Sequence, residues 1–166
     1  SAFVLGWMMC AAAFFILFLK VDRLAAVFML LTAVSYLAWY TPAKRWSAWS
    51  TEIGAVAGAF PPLIGWSAAE GRVSALGWIL FGILCLWQIP HFMALAFLWR
   101  EDYARGGFKI VTVGDPSGRS ASIWAMAFIL PMIVVAGEIV RTFFDPACTA
   151  SLKGWASPFL WVSFLA

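Results

Sequence analysis

Charge is scarce in this sequence. Only 11% of its 166 residues are Asp, Glu, Lys or Arg, against 64% apolar, whereas a soluble domain carries roughly 25% charge. A water-soluble fold is thereby excluded. Cys10, Cys85 and Cys148 are widely separated, form no Cys-x-x-Cys pair and are odd in number, which excludes a disulfide framework and leaves them as packing residues. The net charge of +3 is small and the bases lie in short loops, so nucleic acid is not a partner. The dyad alternation of an outer-membrane barrel is missing. No basic stretch precedes the first apolar block and no small-residue cleavage pattern follows it, which argues against a signal peptide.

What is present instead is long apolar blocks, apolar on every side, whose solvent must be lipid. Five read as complete spans: Ala2 to Leu19, Leu24 to Tyr40, Ile53 to Ala69, Ala75 to Trp99 and Ile123 to Val140. A sixth run, Trp155 to Ala166, is too short to cross about 30 Å of hydrocarbon. The spans must be helical, because lipid leaves backbone groups no external partner. Several of the 11 Trp (Trp39, Trp46, Trp49, Trp66, Trp99, Trp155) sit near block ends, at headgroup level. The expected fold is all-α: a polytopic transmembrane bundle forming one domain over residues 1–166, without repeats and truncated at both ends.

The connections divide between two sides. Lys20 to Arg23, Glu70 to Val73 and Arg141 to Gly154 share one, Thr41 to Glu52 and Arg100 to Ser122 the other. The second side holds Lys44, Arg45, Arg100, Arg105, Lys109 and Arg119 against Lys20, Arg23, Arg72, Arg141 and Lys153 opposite. That excess of one base places the second side in the cytoplasm by the positive-inside rule.

Three stretches carry candidate chemistry. Pro61-Pro62, with Gly54, Ala57, Gly58 and Gly65, predicts a kinked third span closely surrounded by other helices; a packing helix has the same composition. The fourth span holds Trp87, Gln88 and the only histidine, His91, polar groups that in lipid must face a partner or cavity. Continued as a helix, it sets His91 and Asp102 on one face, eleven positions or about 16 Å apart, while Pro90 kinks the segment before them. A hydrogen-bonded histidine and a ligand remain alternatives here. Glu101 to Lys109 combines acids, a Gly pair and bases in a way that suits a Mg²⁺-bridged polyphosphate, although a solvated interfacial loop is also charged. Tyr40 and Lys44, four apart, and the adjacent Arg45 add a second cluster on the same side.

Tyr40-Thr41-Pro42-Ala43-Lys44-Arg45, the Gly54 to Trp66 stretch, Trp87-Gln88-Ile89-Pro90-His91-Phe92 and Arg100 to Phe108, in this order, resemble the haem O synthase (protohaem IX farnesyltransferase) family of UbiA-type intramembrane prenyltransferases. The resemblance runs from about Tyr40 to Arg119. It implies about nine helices around a cavity open to lipid, of which this chain would supply roughly the third to eighth. It further implies transfer of a farnesyl group from farnesyl diphosphate to a vinyl carbon of haem B, Mg²⁺ with the diphosphate as cofactor, and an inner-membrane location, bacterial or mitochondrial. The lipid bilayer, haem A synthase and oxidase assembly proteins are its implied partners.

Carried over by residue, Asp102 takes the metal, with Arg105 or water completing the site, since Gly106 stands where relatives have a second Asp. Tyr40, Lys44 and Arg45 take the leaving diphosphate. Arg100, Tyr103 and Arg105 bind substrate, as do Trp87, Gln88 and His91, with His91 in the haem pocket as a candidate iron ligand. The family's first acidic motif, Asn-x-x-x-Asp-x-x-x-Asp, is not in this sequence, so the chain alone is expected to be inactive. Ser50, Glu52 and Lys109-Ile110-Val111 also depart from the family pattern. A related enzyme acting on an aromatic quinone precursor, and a transporter with broken helices, are the alternatives.

Overall fold

Backbone groups in lipid close their hydrogen bonds along their own axis, and a computed structural model shows the apolar blocks doing so. It describes residues 2–115 and 117–144, without the side chains of Ile139 and residues 142–144. The run Trp155 to Ala166 and Cys148 fall outside those residues. Helix α1 (Ala2–Ile16) ends in a π turn, Leu17–Val21, and α2 (Arg23–Val34) starts where the Asp22 carboxylate accepts the Ala25 amide at 2.9 Å. A second π turn, Ser35–Tyr40, leads into α3 (Thr41–Trp46); then follow α4 (Ser50–Gly58), α5 (Pro61–Glu70), α6 (Ala75–Leu98), α7 (Arg100–Arg105), a 3₁₀ turn at Val111–Val113 and α8 (Arg119–Phe144).

Among the described residues, four helical stretches are long and apolar enough to cross a membrane: Ala2–Val21, Arg23–Trp46, Ala75–Leu98 and Arg119–Glu138. They coincide with the first, second, fourth and fifth expected spans. The third crossing is broken outright. Pro61 and Pro62 have no N–H to continue the ladder of α4, so α4 stops at Gly58 and α5 restarts with both prolines in its first turn. Two further expectations need correcting. The stretch from Thr41 was expected to be a loop, but the second helix continues to Trp46, because the π turn already bonds the Thr41 amide and hydroxyl to the Tyr36 carbonyl. The fourth helix does not run on unbroken to Asp102. Trp99 (φ −103°, ψ 23°) leaves the helical region, and α7 starts anew at Arg100.

Helix α8 lies along α6, while α4 packs on α6 and α5 on α2. Small side chains allow these approaches: Ala55 is fully buried against Ile89 and Met93, with Cys85, Trp124 and Phe128 closing round them. Phe28 joins the second layer, its ring 6.2 Å from both Phe60 and Trp78. Helix α1 buries no residue, which costs nothing where the surroundings are hydrocarbon.

Candidate functional site

A cavity of about 400 Å³ opens between α2, α4, α6 and the segment after α7. Its mouth is built by a ladder of residues four apart. On an α-helix such a ladder drifts about 40° per step; the wider π turn between Tyr36 and Tyr40 winds less per residue and takes the first step back. Tyr36, Tyr40 and Lys44 therefore all reach the cavity. The two rings lie 5.1 Å apart, and the Lys44 ammonium sits 4.2 Å from the centre of the Tyr40 ring and 5.6 Å from that of Tyr36. Such a contact is worth about 0.5–1 kcal/mol when exposed and about 2 when desolvated. Behind Tyr40 the wall is bare backbone, since a Cβ on Gly54 would lie 2.6 Å from the ring.

The second loop is fastened to this ladder. The Lys109 amide donates to the Lys44 carbonyl at 3.0 Å, and the fully buried Thr112 hydroxyl donates to the Ala96 carbonyl of α6 at 3.0 Å. Gly107 turns the chain in the left-handed region (φ +73°), where a Cβ would be strained. The turn folds Phe108 back on Tyr103, ring edge to face at 5.8 Å, and both line the cavity.

Farther in, α6 contributes Gln88, Phe92 and Ala96. The break in the third crossing explains the amide. The Ala59 amide bonds the Val56 carbonyl, which leaves the Ala55 carbonyl of α4 without its usual partner; Gln88 Nε2 donates to it at 3.5 Å and to the Leu84 carbonyl at 3.2 Å. Gln88 Oε1 rests against Gly58, where a Cβ would collide with it. Both donor contacts are thus committed to backbone, and the acceptor is left for a guest.

Of the candidate site residues, Tyr40, Lys44, Gln88 and Tyr103 line the cavity together, joined by Gly54, Ala57, Gly58 and Pro61 of the interrupted third span. Asp102 and Arg105 pair with each other on α7, exposed and outside the lining. An exposed pair of this spacing is worth about 0.3–0.5 kcal/mol, so a ligand can take either partner cheaply. Arg45 is exposed beyond the rim, and Arg100 lies over the Phe97 ring at 5.0 Å, bonding the Phe97 carbonyl. Trp87 and His91 stack at 4.9 Å with 10° between planes, on an exposed side of α6; Phe92, tilted against His91 at 5.6 Å, separates them from the cavity it lines. Sequence reasoning missed Tyr36, Phe92 and Phe108. The first was detectable as the residue one step before Tyr40 in the same four-residue ladder.

Among the described residues no cluster of three acidic, histidine or cysteine side chains can hold a metal ion. The donors fit Mg²⁺ only as a cation carried on a diphosphate, where one or two carboxylates suffice and phosphate oxygens and water do the rest. Asp102, exposed on α7 and paired with Arg105, is next in the chain to Tyr103 of the cavity lining. Glu52, by contrast, has both carboxylate oxygens buried without a hydrogen bond.

The sequence matches the UbiA prenyltransferase family over residues 1–166. It is 59% identical over 136 residues to the protoheme IX farnesyltransferase of Opitutus terrae, covering 82% of this chain and 46% of that protein. With the protoheme IX farnesyltransferase of Solibacter usitatus it shares 42% over 135 residues, 81% of this chain and 46% of the relative. With the mitochondrial protoheme IX farnesyltransferase of Arabidopsis thaliana it shares 44% over 120 residues, 70% and 28% respectively. The chain thus spans about half the length of the bacterial relatives it matches. No solved structure matches it. With four long apolar helices and a family match along its whole length, the chain is an integral membrane protein belonging to the UbiA prenyltransferase family.

Proposed function

We propose that the full-length protein transfers the farnesyl group of farnesyl diphosphate to a vinyl group of haem B, giving haem O, and that residues 1–166 form part of its single transmembrane domain. One observation carries this reading: a single cavity among membrane helices is lined by Lys44 with Tyr40 and Tyr103, and for the rest mostly by apolar residues. Such a cavity suits a molecule with a diphosphate head and a long isoprenoid tail. The names of the relatives supply farnesyl and protohaem as the two substrates.

In this reading Lys44 and Arg45 neutralise the leaving diphosphate, with Arg100 and Arg105 adding positive charge from the second loop. Asp102, released from Arg105, holds Mg²⁺, which supplies further charge neutralisation. Tyr40, Tyr103 and Phe92 wall the reacting end and exclude water from it. The Gln88 carbonyl oxygen, with the Ser50 and Thr51 hydroxyls that line the same cavity, orients the group that attacks. The Trp87–His91 stack forms a flat aromatic platform for the porphyrin, on the far side of Phe92, with His91 as a candidate iron ligand. The polar loops face the cytoplasm, and haem A synthase or an oxidase assembly factor receives the product.

The test is an assay of the full-length protein in liposomes with farnesyl diphosphate and either haem B or hydroxybenzoate. Farnesylated haem is expected with the first, and nothing with the second. Asp102→Asn should nearly abolish turnover; retention of more than about a tenth of kcat, a loss under about 1.4 kcal/mol, would remove Asp102 from the mechanism.

A further inference from the structure

Among the described residues Lys44 is the only Lys or Arg lining the cavity, and no carboxylate pairs with it. Its charge is held by aromatic faces instead, those of Tyr40 and Tyr36. A cation on a ring face lasts only until a better partner arrives. A diphosphate is such a partner, so binding it draws the ammonium off the rings.

The vacated faces then border the reacting carbon. When the C1–O bond of the allylic diphosphate breaks, its electron pair leaves with the diphosphate oxygen, and positive charge spreads over the allyl group. The Lys44 ammonium offsets the first charge. The second needs a neutral, electron-rich surface that water does not reach. We propose that Tyr40 and Tyr36 serve two cations in turn: they hold Lys44 while the cavity is empty, and stabilise the allylic cation after Lys44 has moved to the diphosphate. This inference rests on the cavity being the diphosphate site, and it deepens that reading by making the aromatic pair specific for substrates that ionise to an allylic cation.

The exchange requires that weakening the ring face help binding and harm chemistry. A series in the full-length protein with phenylalanine, difluorophenylalanine and trifluorophenylalanine at position 40 keeps the ring's shape while draining the negative charge from its face. Along the series the Kd of inorganic pyrophosphate should fall about threefold, because Lys44 is released more easily, while kcat falls about tenfold. In a Lys44→Gln background the dependence of Kd on fluorination should vanish and that of kcat should persist. Parameters that stay flat, or that move together toward weaker binding and slower turnover, overturn the exchange. Failure of pyrophosphate to bind saturably at all would instead overturn the cavity as the diphosphate site.

Discussion

Glu52 shows what a single residue costs here. Its two oxygens are enclosed without a donor, and a buried polar group without a partner costs about 1–3 kcal/mol. It shares a side of α4 with Ala55, three residues on, which packs on Ile89 and Met93. Glu52→Leu should therefore raise stability by about 1–3 kcal/mol, read as a higher Tm in detergent; an unchanged or lower Tm would mean that the carboxyl has a partner in the full-length protein. The sequence marks Glu52 as a departure from the family pattern, but not as enclosed, since burial depends on how α4 packs. Tyr40, Lys44 and Gln88 were legible for a different reason. A polar group in lipid has few places to point, which narrows Gln88 to a partner or cavity, while Tyr40 and Lys44 were marked by their four-residue spacing together with the family resemblance. His91 followed the same logic but stacks on Trp87 outside the cavity wall, because a flat neighbour four residues away offers an alternative that hydropathy does not reveal.

At the scale of elements, ends and breaks decide the geometry. Helix α8 begins under an Asp115 cap, whose carboxylate accepts the Ser120 amide at 2.6 Å together with the Ser117 amide and hydroxyl. These bonds, the Ser117 hydroxyl first, hold the Asp115 carboxyl well below the usual carboxylate range. A depressed folded pKa stabilises the fold above the unfolded value of about 3.9 and is lost only as pH falls through the lower folded value. Slow hydrogen exchange at the Ser120 amide should thus persist below about pH 3.9, where a free carboxyl is already protonated, and fail only as pH falls through the lower folded value, whereas Asp115→Ala should lose it at every pH; protection that survives the substitution would place the cap elsewhere. A kink in the third span was legible from Pro61-Pro62 because a missing N–H is a local fact, but its growth into a full break between α4 and α5 was not. The extension of the second helix to Trp46 and the break at Trp99 were not either, since a π turn and a single residue outside the helical region leave no mark in hydropathy.

For the molecule as a whole, the four long crossings were legible because lipid imposes length and polarity on each one separately. How the two polar loops meet was not, because it rests on backbone and buried hydroxyl contacts: Lys109 to Lys44 and Thr112 to Ala96. Thr112→Val keeps the volume and removes the second tie. It should cost about 1 kcal/mol and speed exchange at the Lys109 amide, and unaltered exchange there would show that the loop is held from elsewhere. The π turn at Ser35–Tyr40 carries a consequence of another kind. Its outward residues Leu37, Ala38 and Trp39 are exposed, so their identity matters little to the cavity, yet their number matters greatly. Removing any one residue would return the turn to α-helical winding and set Tyr40 three steps of about 100° from Tyr36, moving it and Lys44 about 60° off the line of Tyr36. This stretch works as a spacer in which spelling is free and length is fixed, so evolution can rewrite its letters but not drop one.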